Sequence, residues 1–260
     1  MRVGLEERLR RRRHAGRKLL IPYVTGGITA GWTDVLAAMA DGGADAVEIG
    51  IPFSDPVMDG PTIQEASGQA LARGTTPASI FNDLRRVESD LDVPLVAMTY
   101  CNIAFRMGAR RFAAEAVDAG ISGVILPDVP MEEMQTWAPA AEGAGLETVL
   151  LAGPVTPEDR LALVCERSRG FVYGVNLMGV TGERSALGHQ SAVLAKRMKA
   201  VTDRPVVMGV GVTTPEQAAE VADPADGVIV GSALMRRVLD GASAEQLGEA
   251  VAALRAALDA

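Results

Sequence analysis

One stretch of this chain gathers residues able to move protons. In ADAVEIGIPFSDPVMDGPTIQEA, residues 44–66, the apolar run Ala46–Ile49 contains Glu48, and the loop after it carries Asp55 and Asp59 among Pro52, Pro56 and Pro61. Side chains alternate along a strand, so Val47 and Ile49 share one face and Ala46, Glu48 and Gly50 the other. Strands of a parallel sheet are normally apolar on both faces. A glutamate inside one carries a desolvation cost unless it is hydrogen-bonded or near the mouth of the fold. Burial raises its pKa and suits it to carry protons near neutral pH. The three prolines restrict the loop and remove backbone donors, which helps hold a carboxylate in place. Asp is also common in turns and at helix caps, so residue type alone leaves Asp55 and Asp59 open between a catalytic and a local structural role.

The elements that must position these groups follow a regular plan. Eight short apolar runs recur: Leu19–Val24, Ala46–Ile49, Leu95–Met98, Val124–Leu126, Thr148–Leu151, Phe171–Val175, Val206–Val210 and Val228–Val230. Amphipathic stretches such as Ala109–Ala119, Pro157–Arg167 and Pro215–Val221 lie between them. Continuous apolar strands alternating with helices imply a parallel sheet covered by helices. Eight units within 260 residues match an α/β fold of the TIM (β/α)8 barrel type. The rival, an open doubly wound sheet, lacks its glycine-rich fingerprint after the first strand. The long interval from Gly50 to Pro94 predicts two helices, near Pro61–Arg73 and Pro77–Ser89, and Ala244–Leu258 predicts a closing helix. No linker or repeat divides the chain, so residues 1–260 read as one barrel domain with an extra N-terminal helix and additional helices in its loops.

Composition narrows the function further. Hydrophobic residues make up 48%, aromatics only 4%, and the formal net charge is -8. That charge argues against a general nucleic-acid-binding surface. The first 20 residues are the exception, with eight basic and two acidic side chains, including Arg8, Arg10, Arg11, Arg12, Arg13, Arg17 and Lys18. Glu6 and Glu7 interrupt this cluster and an apolar strand follows directly, so a solvated helix capping the fold is the expectation. Two scattered cysteines, Cys101 and Cys165, and two histidines offer no disulfide framework and no metal-ligand spacing. With no signal-peptide pattern and no apolar run of membrane-spanning length, a cytoplasmic protein is expected.

Three glycine sites follow the late strands: Gly179–Gly182, Gly209–Gly211 and Gly231-Ser232. Each alone is ordinary turn chemistry. Together they fall where this fold commonly builds a phosphate site, and glycine lets backbone N–H groups approach the ligand. Gly182, Gly211, Gly231 and Ser232 are the candidates. The segment 177–188, glycine-rich and polar, reads as a loop able to close over the site.

The stretch EIGIPFSDPVMDGPTIQ closely resembles the signature of the tryptophan synthase α subunit family. The rest of the chain agrees at intervals: PYVTGG at 22–27, MTYCN at 98–102, LPDVP at 126–130, VYGVNLMGVTG at 172–182, GVGV at 209–212 and GSAL at 231–234. The resemblance covers nearly the whole chain. It implies reversible retro-aldol cleavage of indole-3-glycerol phosphate to indole and glyceraldehyde 3-phosphate, with no cofactor for this step. By the family pattern Glu48 is the acid/base, Asp59 holds the indole N–H and stabilises positive charge on the ring, and Tyr173 lines the site. It also implies a pyridoxal phosphate-dependent β subunit as partner in an α2β2 heterotetramer, with the loop around Pro52 and Asp55 at the interface. Tyr23, Met98, Tyr100 and Ile229 are candidates for the indole pocket, although apolar strand residues are more often plain core. Asp128 reads equally well as functional or as a loop-start hydrogen-bonding residue, Cys101 as structural, and His189 as a loop residue.

Several positions depart from the family pattern. Asn176, Leu177 and Met178 stand where a Ser commonly leads into the closing loop, Gly153-Pro154 suggests an inserted residue after the fifth strand, and Met58 replaces a smaller side chain. These departures bear on closure and partner coupling more than on the chemistry. They motivate two alternatives, a stand-alone lyase that releases free indole and a catalytically silent subunit that activates a β partner. A different phosphosugar enzyme on the same barrel is a weaker option.

Overall fold

The structure is a computed structural model; it describes residues 4–175 and 184–260, and of their side chains all but those of 184–188. Eight parallel strands, β1 (Leu19–Thr25), β2 (Val47–Gly50), β3 (Leu95–Met98), β4 (Ile121–Ile125), β5 (Glu147–Ala152), β6 (Val172–Val175), β7 (Val206–Gly209) and β8 (Gly227–Val230), close into a barrel in sequence order. β1 pairs with β2 on one side and β8 on the other, and the register sets Tyr23 beside Glu48 and Glu48 beside Val96. This is the TIM barrel expected from the eight apolar runs.

Alternation along the strands builds two cores. Val47, Ile49, Leu95, Ala97 and Val124 face the surrounding helices in the larger one. Leu19, Ile21, Ala46, Val96, Ile125, Val149, Val207 and Ile229 fill the barrel interior. Glu48 therefore points inward, as its spacing from Ala46 requires.

The basic N-terminus forms the helix Leu5–His14, and its two buried leucines, Leu5 and Leu9, join the interior cluster. The opposite face is arginine-rich, and its charges are drawn into ion pairs: Arg10 and Arg13 with Asp203, Arg12 with Asp45, Arg8 with Asp92. Arg204 grips both carboxylate oxygens of Glu6, at 2.7 and 2.8 Å. The segment is a cap over the N-terminal end of the barrel, fastened by charge around its rim and by leucines at its centre.

The helices Pro61–Ala72 and Pro77–Val87 occupy the long interval after β2, and Ala244–Asp259 closes the chain. Two expectations need correction. His189 lies within the helix Arg184–Val201 and not in a loop, and residues 184–188 of the supposed closing loop belong to the same helix. Gly188 was the signal for a loop, and a helix of this length accommodates one glycine at a cost of about 1 kcal/mol. Asn176, Leu177, Met178, Gly179 and Gly182 lie outside the described residues. Among the described residues no helix is long and apolar enough to cross a membrane.

Candidate active site

Glu48 lies in the third-from-last position of its strand, β2, facing the C-terminal half of the barrel interior. It is 1% exposed, and its Oε2 has no hydrogen-bond partner among the described residues. Burial, then the charge of Asp59, pushes its carboxyl up to about 8. A buried carboxyl without a compensating cation favours the neutral acid.

Asp59 reaches the same mouth from the loop after β2. Its backbone N–H donates to the carbonyl of Pro56 at 3.0 Å, and the Gln64 side-chain amide donates to its carbonyl at 2.8 Å. These bonds, with Pro52, Pro56 and Pro61, hold the tight turn that sets the carboxylate. Burial raises Asp59 to about 6, and a hydrogen bond from the Tyr100 hydroxyl to Oδ2 at 3.2 Å opposes that rise. The two carboxyls thus differ in protonation near neutral pH, which is how two like groups divide acid and base work.

Three tyrosines surround them. Tyr23 and Tyr173 are buried, and the phenol pKa of each is raised chiefly by burial, with Glu48 and Asp59 adding to it. Both lean over glycines on adjacent strands. A Cβ on Gly50 would sit 1.9 Å from the Tyr23 hydroxyl, and one on Gly209 would sit 2.5 Å from the Tyr173 hydroxyl. Gly209, read from sequence as part of a phosphate loop, thus makes room for a ring. Thr25, which the sequence reading passed over, donates its hydroxyl to Tyr23 at 3.2 Å. Met98 and Ile229 face the interior with Tyr173. Tyr100 is stacked on Phe53 at 5.0 Å and 26°. A hollow of about 300 Å³ opens between the loop after β4 and the helix Glu158–Arg167, lined by Met58, Asp128, Met131, Leu151 and Arg160 among others.

The glycine sites after β7 and β8 stand at the same end. Gly211 has φ +77°, a left-handed conformation that suits glycine. Gly231 is the N-cap of the helix Ser232–Leu239, so the helix start carries the Ser232 hydroxyl and, with no side-chain cap among the described residues, N–H groups that lack an intrahelical acceptor.

Other candidates have local roles. Asp128 accepts the backbone N–H of Cys101 at 2.9 Å, which caps the helix Cys101–Met107 from another loop. The Cys101 thiol is pushed up to about 11 by burial and by Asp128, so it is not activated. In the loop after β2, Pro52 is buried, while Asp55 and Val57 are exposed. Among the described residues no group of three His, Cys, Asp or Glu could hold a metal ion.

Comparison with known proteins gives a consistent answer. The family model for the tryptophan synthase alpha chain matches residues 9–259. The tryptophan synthase alpha chain of Halorhodospira halophila is 46% identical, with 98% of this chain and 96% of that one covered. That of Streptomyces coelicolor is 44% identical, with 98% and 94% covered. Among solved structures, tryptophan synthase subunit alpha from Legionella pneumophila superposes with a TM-score of 0.90 at 31% identity, with 99% of each chain covered. Tryptophan synthase of Mycobacterium tuberculosis gives 0.89 at 38% identity, with 98% of this chain and 97% of that one covered.

Proposed function

The chain belongs to the tryptophan synthase alpha chain family, a lyase that cleaves indole-3-glycerol phosphate in tryptophan biosynthesis, and from that premise we propose that Glu48 and Asp59 divide the proton work of the cleavage. The observation that carries the assignment is a fully buried Glu48 whose Oε2 has no partner among the described residues, with the charge of a second carboxyl, Asp59, acting on it.

At neutral pH Glu48 is the acid and Asp59 the carboxylate. Glu48 delivers its proton to C3 of the indole ring, which gives a positively charged indolenine. Asp59 accepts the ring N–H in a hydrogen bond and stabilises that charge as it forms. The Glu48 carboxylate then takes the proton from the hydroxyl on the carbon attached to C3. The C–C bond breaks, its electron pair returns to the ring, and the carbinol becomes the aldehyde of glyceraldehyde 3-phosphate. Glu48 ends protonated, ready for the next turnover. Tyr23, Met98, Tyr100, Tyr173 and Ile229 wall the indole, and burial keeps water away from the ring cation. Gly211, Gly231 and Ser232 bind the phosphate through bare N–H groups and one hydroxyl, with Gly182 completing the set.

The enzyme works as the α subunit of an α2β2 heterotetramer in the cytoplasm. The exposed part of the loop after β2, Ser54–Met58, faces the β subunit, which consumes indole. Val57 is 80% exposed there, apolar surface of the kind that a partner covers. Residues 1–260 act as one barrel domain. Indole formation from indole-3-glycerol phosphate, with and without a β subunit, tests the assignment. Turnover that rises on adding the β subunit supports it, and no turnover in either case overturns it.

A further inference from the structure

We infer that Tyr100 is a positioning residue for the reaction: its hydroxyl, fixed by a backbone donor, aims the Asp59 carboxylate and holds it ionised. The inference rests on the assignment of Asp59 as the charge-stabilising carboxylate.

The geometry leaves the Tyr100 hydroxyl little choice. Its oxygen accepts the backbone N–H of Met58 at 2.9 Å. That bond takes up an acceptor position and leaves the single O–H proton to be donated. The acceptor it meets is Oδ2 of Asp59, at 3.2 Å. The donor N–H and the accepting carboxylate belong to consecutive residues of one tight turn, so a single phenol oxygen clamps both. The ring cannot swing away, because it is 5% exposed and stacked on Phe53. Tyr100 is also the N-cap residue of the helix Cys101–Met107, which fixes its backbone.

No Lys or Arg pairs with Asp59 among the described residues. The titratable groups that share its field are Glu48 on β2, Tyr23 on β1, Tyr173 on β6 and Tyr100 after β3. All four are acids, so none of them favours the carboxylate by charge. Tyr100 alone among them donates a hydrogen bond to it, and that bond holds Asp59 below the value burial would otherwise impose. A carboxylate that must be ionised to stabilise the ring cation therefore depends on a neutral donor.

The clamp predicts a shift in pH dependence, which a merely structural role would not produce. Tyr100→Phe keeps the ring on Phe53 and removes only the hydroxyl. The acid limb of kcat/KM for indole-3-glycerol phosphate cleavage should move up by about one pH unit, and the alkaline limb should stay in place. The value of kcat/KM at pH 6 then falls about fivefold more than that at pH 8. A titration of the Asp59 carboxyl by ¹³C NMR, in wild type and Tyr100→Phe, should show the same upward move. A uniform loss at all pH values, or an unmoved carboxyl titration, overturns the clamp. Asp59→Asn separates the two ideas: if it retains full turnover, the assignment of Asp59 fails, while the NMR titration still decides whether Tyr100 holds the carboxylate ionised.

Discussion

Glu48 and Asp59 are two carboxyl groups at one barrel mouth, and the charge on Asp59 adds to the burial that pushes Glu48 up to about 8, while Asp59 itself rests at about 6. The proposed mechanism needs Glu48 protonated and Asp59 ionised. That pair of states dominates between the two values. The pH profile of kcat/KM should therefore be bell-shaped, with an acid limb near 6 from Asp59 and an alkaline limb near 8 from Glu48. A profile that rises steadily through pH 9 would show that Glu48 acts first as a base.

The same burial has a consequence for stability. The Glu48 carboxyl ionises near 4.5 when unfolded and near 8 when folded. Its contribution is fully present below the lower value and is lost as pH rises through the upper one. Glu48→Gln does not titrate, so its stability relative to wild type should grow from pH 4.5 to pH 8, by up to about 4 kcal/mol. Denaturant melts at the two ends of that window measure the difference, and a constant offset would contradict it.

Gly50 is kept small by Tyr23, whose hydroxyl lies 1.9 Å from where a Cβ would stand. Gly50→Ala must push the ring aside, at a cost of about 1–3 kcal/mol. Because that ring is proposed to wall the indole site, kcat/KM should fall as well. Thermal melting with an indole assay reads both effects, and an unchanged melting temperature would show that the ring moves freely.

In the proposed phosphate site, Ser232 adds one hydroxyl to the N-terminus of its helix. Ser232→Ala should raise KM about three- to tenfold and leave kcat nearly unchanged, as expected for loss of one hydrogen bond made equally in ground and transition states. A fall in kcat with constant KM would place the hydroxyl elsewhere.

The barrel was legible because each strand is a short apolar run with its own turn signals. What escaped was set by distant contacts. β4 starts at Ile121, three residues before the run read from sequence, because Ser122-Gly123 resembles a turn. Gly123 is there because Leu5 of the N-terminal helix packs within 2.7 Å of where a Cβ would stand, and no local pattern reports that contact. The helix Cys101–Met107 escaped for a similar reason, since Asp128 caps it from 27 residues away. Glu48 was visible because a charge inside a strand has few structural reasons to exist. Tyr100 read only as a wall, since its hydrogen bonds to Met58 and Asp59 join separate loops.

The most direct test of the account is indole formation from indole-3-glycerol phosphate by Glu48→Gln at pH 7, beside wild type. The amide keeps the shape and removes the transferable proton. If Glu48 carries the proton, kcat should fall by at least about a thousandfold, with binding of a phosphate ligand such as glycerol 3-phosphate retained. Activity within about tenfold of wild type, below even the usual contribution of a general acid, would mean that another group carries the proton.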